Sequence, residues 1–269
     1  TDGVISAHNS GILVVGANCS GIGNAGSIET ATGNGIFVVG DNAGQIVNIG
    51  TGTIDAASAG IYVGGGNAGA TGTNRSARIT NAGTIDAANS GIHVALDNAG
   101  RIDNAGRVTA GANGIQIDGA NSGSISSEGT EEVAAQITAG AHGILVGGEN
   151  SGSVTNGLYS TITPGSGGTG IMVQSDNTST GSLSNDGTIT GTGGSTSGIG
   201  IFGSNAGTIF NSGTIQVVAS GLYVNDGNAA TGLIENAGSI VSGLGDGISV
   251  EGENAGTIHN TDSGTIGAR

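Results

Sequence analysis

The chain has 269 residues, a formal net charge of −15, no lysine and five arginines, so it lacks the clustered cations needed to displace counterions from a phosphate backbone. The missing lysine also excludes a Walker-type phosphate loop, a lysine Schiff base and a protein-kinase site. With 58 glycines, a single proline (Pro164) and only 2% aromatics, it lacks the large side chains that fill a compact core, whereas a thin core of repeated aliphatic layers needs none.

The first residues, Thr1–Ser10, are unlike a signal peptide and there is no initiator methionine, so the chain reads as a mature segment or a piece of something larger. Its opening Thr-Asp-Gly-Val-Ile resembles Asn185–Ile189 and predicts the third strand of a repeating coil. From Gly11 onward the pattern Gly-[Ile/Leu]-x-[Val/Ile]-x-x-x-Asn occurs ten times, with 23 to 31 residues between starts. Its asparagines are Asn18, Asn42, Asn67, Asn98, Asn121, Asn150, Asn177, Asn205, Asn228 and Asn254. The Cys19 thiol next to the first of them has no second cysteine to pair with and leaves the redox compartment open.

Two further aliphatic columns follow in every unit. In the fourth they are Ile102 and Val108. A second asparagine precedes the last column, as in Asn-Ala-Gly-Thr-Ile at Asn81, and the fifth and sixth units read as departing from it. Within Gly-Ile-x-Val the branched residues fall at i and i+2, on one face of a strand, and no segment sustains a 3.6-residue period. A unit of this size cannot bury its own face and must stack on its neighbours. The prediction is an all-β fold: a parallel β-helix solenoid of about ten coils, three short strands each, forming one domain over residues 1–269. The asparagines are expected to form amide ladders, and the glycines beside them to supply positive φ or close packing. Three insertions break the frame, at Ala70–Ala77, Ser126–Ala134 and Thr155–Ser160, and the last two occupy the same turn of adjacent coils. The closing Thr261–Ile266 is again a third strand, so the chain reads as a segment of a longer solenoid or as a stacking subunit.

Runs such as Asn81–Val94 (Asn-Ala-Gly-Thr-Ile-Asp-Ala-Ala-Asn-Ser-Gly-Ile-His-Val) resemble the passenger repeats of autotransporter-type (type V secreted) adhesins, and those of filamentous-haemagglutinin-like proteins. The resemblance covers essentially the whole chain. It implies a right-handed β-helix secreted to the bacterial cell surface, without cofactor. It brings no active-site motif, and the outer-membrane barrel of such proteins is absent from these residues.

Three surface features are candidate sites. The residue before the first asparagine column is acidic in five coils, at Asp41, Asp97, Glu149, Asp176 and Glu253. Oxygen ligands suit Ca2+, which makes this corner a candidate cation edge. The competing reading is a solvated acidic corner that keeps the rod soluble. The x of Gly-Ile-x-Val forms an outward column containing Leu13, Phe37, Tyr62, Leu145, Met172 and Tyr223, a candidate docking stripe. The two adjacent insertions form a third candidate, with Glu128, Glu131, Glu132 and Tyr159. A threonine column at Thr53, Thr84, Thr161, Thr188, Thr214 and Thr265 is similar to those of ice-binding β-helices, but Arg107 and Gln136 interrupt it and threonine suits exposed strands in any case. Catalysis is not expected, since hydrolases and lyases on such scaffolds need clustered carboxylates with Arg, Lys or His, and the four histidines fall apart in chain and coil. No apolar run nears the ~18 residues of a membrane span. The expected role is a non-enzymatic extracellular rod, acting as an adhesin passenger towards a cell-surface or host ligand. The alternative is a self-associating subunit of a filament, sheath or surface layer.

Overall fold

A computed structural model describes residues 3–68 and 77–268. Among them all regular structure is β-strand, with no helix. The fourth coil illustrates the plan: Ile92–Val94 is its first strand, Arg101–Asn104 its second and Arg107–Ala110 its third. Each strand pairs in parallel with its counterpart in the coils above and below, which builds sheets of ten, ten and eleven strands. The rest of the coil supplies the crossover that parallel pairing requires. Register sets like on like: Ile92 lies between Ile61 and Ile115, and Ile102 between Ile79 and Ile125. The chain is therefore a parallel β-solenoid of about ten turns, roughly 50 Å long at the usual inter-strand spacing.

The interior is a set of aliphatic stacks. Ile36, Ile61, Ile92, Ile115, Ile144 and their neighbours in the other two sheets have no exposed surface. The third strand contributes a second inward position that the periodicity did not reveal, filled by small residues such as Ala56, Ala87 and Ala110. Full burial of each Ile or Val is worth on the order of 1.5–3 kcal/mol, and this repeated burial makes large aromatics dispensable.

The ten column glycines serve close packing and not unusual φ. Positive-φ glycines among the described residues are Gly167, Gly194 and Gly227, and none belongs to the column. A Cβ on Gly35, Gly60, Gly114 or Gly221 would instead overlap the Cγ2 of Ile54, Ile85, Ile137 or Ile240. Each glycine thus occupies an inside corner against the third-strand side chain of its own coil.

Both asparagine columns form ladders. From Asn18 to Asn254 each Nδ2 donates to the Oδ1 of the next coil's asparagine at 2.7–2.9 Å, in nine consecutive bonds. The direction never reverses. The second ladder corrects one expectation, because Asn156 pairs in register with Asn185 and Ser127 and keeps the column, its insertion falling after it. Only the fifth coil departs. There the Ser127 hydroxyl accepts from Asn104 Nδ2 at 3.1 Å and from Ser160 Oγ at 2.8 Å, and Asn156 Oδ1 is left buried without a partner.

Candidate functional site

The interior is filled by aliphatic stacks and amide ladders, so any site lies on the outer faces and turns. The acidic corner comes first in the chain. Asp41 Oδ1 accepts the Gly66 N–H at 2.8 Å, Asp97 Oδ1 that of Ala120 at 2.8 Å, and Asp176 Oδ1 that of Ser204 at 2.7 Å. Each aspartate reaches the residue before the ladder asparagine one coil onward. The glycine just ahead of that residue (Gly65, Gly119 or Gly203) lies so close to the carboxylate that a Cβ would overlap it. The aspartates therefore close turns between coils, and the receiving coil needs a glycine just before the residue that donates. Glu149 and Glu253, with longer side chains, make no such bond. Among the described residues no three His, Cys, Asp or Glu side chains gather as a metal site.

The apolar stripe divides in two. Leu13 is 54% exposed, while Phe37 and Tyr62 are half-buried and pack edge to face at 5.2 Å. Tyr62 meets the His93 ring at 4.9 Å, and His93 Nε2 lies 2.8 Å from Asp118, which also accepts from Gln116 Nε2. In the other half Leu145 and Met172 are buried, at 8% and 2% exposure. The Tyr223 hydroxyl reaches Met172 Sδ at 3.4 Å across two coils because Gly200, between them, has no side chain in the way of the ring. Burial pushes the Tyr223 hydroxyl pKa up. The column packs along its own length, and its open apolar end is at Leu13.

Two charge groupings escaped the sequence reading because register creates them. Glu29, Asp55 and Asp86 stand side by side on the third sheet. On the second sheet Asp103 lies between Arg78 (3.0 Å) and Arg101, also accepting the Ser126 hydroxyl at 3.0 Å, so two adjacent like charges share one carboxylate. Cys19 is exposed.

The insertion at Ala70–Ala77 lies outside the described residues apart from Ala77. The other two meet. Gly129 N donates to Leu158 O at 3.3 Å and Ala135 N to Tyr159 O at 3.0 Å, which joins the loops of adjacent coils. Tyr159 is held at φ 56°, the one non-glycine residue in the left-handed region among those described, with its side chain exposed.

His142 provides a test by pH. It is half-buried, and its Nδ1 accepts the Thr169 N–H at 3.1 Å, so the folded state needs the neutral ring. Burial lowers its pKa. A depressed pKa means that the contribution is complete above the unfolded value of about 6.5 and is lost as pH falls through the lower folded value. In denaturant titrations between pH 7.5 and 5, His142→Gln is expected to flatten the decline in stability seen for the parent chain.

Comparison with known protein families, curated proteins and solved structures finds no match. What the geometry defines is the class of the molecule, a β-helix repeat protein. No helix among the described residues is long and apolar enough to cross a membrane.

Proposed function

We propose that this chain is a non-enzymatic rod displayed on the outside of a bacterial cell, acting as an adhesin passenger. The observation that carries this reading is the division of labour between inside and outside. The inside repeats closely, in aliphatic stacks and two amide ladders interrupted once, at Ser127, while the outside changes from coil to coil through turns, columns and inserted loops. A solenoid of this kind holds separate surface groups at fixed distances, and many weak contacts along one stiff body add up by effective concentration. The passenger-repeat resemblance of Asn81–Val94 supports the same reading.

The filament or surface-layer alternative has its own support. The ladder runs in one direction, so each coil turns an amide oxygen to one side and an amide N–H to the other. Those two sides are complementary to each other.

The test is antibody labelling of intact source cells together with adherence of beads coated with the purified chain. Labelling without permeabilisation and saturable bead binding to a cell surface are expected. Labelling confined to permeabilised cells, with beads that bind no better than uncoated ones, would contradict the reading.

A further inference from the structure

The two joined insertions form a groove with a defined chemistry. Its volume is about 360 Å3, and its walls carry Thr130, Glu131, Tyr159, Thr161, Asp186 and Thr188. The floor includes Gly187 and Gly213, which bring backbone to the surface. Three features mark it off from a tolerated insertion. Its loops are tied to one another and within themselves, with Thr130 N donating to Val133 O at 2.7 Å and Val133 N to Thr130 Oγ1 at 3.1 Å. Tyr159 adopts a backbone conformation that a side chain of its size disfavours, and the surrounding bonds keep it there. Tyr159 is 53% exposed and lines the groove.

From these features we infer that the groove binds a neutral oligosaccharide, an inference that rests on the adhesin reading and names its ligand class. The ring offers an amphipathic face to the C–H side of a pyranose, with the phenol free to hydrogen-bond. The threonine hydroxyls donate and accept, and the two carboxylates accept from sugar hydroxyls. Glu131 and Asp186, with Glu128 and Glu132 in the same loop as Glu131, repel sialylated and sulfated chains. The open, shallow shape suits a chain that passes along the rod and is gripped one or two units at a time.

The experiment uses the full chain against immobilised neutral oligosaccharides and their sialylated and sulfated counterparts, followed by calorimetry on the strongest neutral binder. The parent chain is expected to retain neutral sugars in preference to charged ones. Tyr159→Gly, which relieves the left-handed backbone, is expected to weaken that binding at least tenfold with Tm unchanged or raised, whereas Tyr159→Phe keeps most of it. Asp186→Asn is expected to weaken binding and to narrow the discrimination against sialylated chains. No retention by the parent chain, equal binding by Tyr159→Gly, a preference for anionic sugars, or preferential capture of a basic peptide would each overturn the inference. Beads coated with Tyr159→Gly that adhere to cells as well as the parent would overturn it while leaving the surface-rod reading in place.

Discussion

Replacing Gly114 by alanine is expected to cost about 3 kcal/mol, the upper part of the range for forcing an atom into a packed core. The added Cβ would overlap Ile137 Cγ2 and lie 2.6 Å from the carbonyl oxygen of Gly143, and neither can retreat. The isoleucine is fully buried between its neighbours in the stack, and the carbonyl is committed to the Ile115 N–H at 2.9 Å. The control is Gly16→Ala. A Cβ there meets nothing within 4 Å, so stability should hold or rise slightly through loss of unfolded-state freedom. Equilibrium denaturation of the two variants checks the contrast. Equal effects would mean that these corners are not close-packed.

The second large effect is expected at Asn121, in the middle of the first ladder. Alanine there removes the acceptor of Asn98 Nδ2 and the donor to Asn150 Oδ1, both at 2.8 Å and both buried. Two buried polar groups lose partners, at about 1–3 kcal/mol each, and Asn98 recovers part through its contact with Gly100 O, so a net loss of about 2–4 kcal/mol is expected. Asn121→Asp separates the two roles. It keeps the acceptor for Asn98 but turns the donor into a buried charge, which raises the carboxyl pKa. Its stability should therefore improve as pH falls, because the protonated acid donates to Asn150. The parent chain has no such dependence at this position. Urea midpoints at pH 7 and pH 5 make the comparison.

These two residue types explain why the fold was legible in the sequence. A solenoid writes its core as columns: Ile92 packs on Ile61 and Ile115 because each coil repeats the last, so one reading of Gly-Ile-x-Val gives every coil. The invariant glycines and asparagines were equally visible, although the sequence left open whether glycine supplied φ or space. The inward alanines were missed because a small residue carries little hydrophobic signal. Asn156 was missed because an insertion follows it, and only the pairing with Ser127 and Asn185 restores its place.

The surface was less legible, since its contacts depend on the neighbouring coil as well as the residue itself. The bond from Gly66 to Asp41 needs Gly65 one coil onward, a rule that becomes readable only once the coils are aligned. Likewise, an outward column does not reveal which members lie down on their neighbours. Met172 is buried because Gly200 leaves room for Tyr223 to reach it. The insertions could be read as interruptions, but the left-handed backbone of Tyr159 has no sequence signature, since no glycine or asparagine occupies the position.

The reading of the chain as a single stiff rod is tested most directly by negative-stain electron microscopy of the purified chain from dilute to crowded solution. Separate particles of uniform width, roughly 50 Å long, are predicted at every concentration. Long fibres or ordered sheets growing with concentration would contradict presentation by separate rods and assign the chain to a structural assembly.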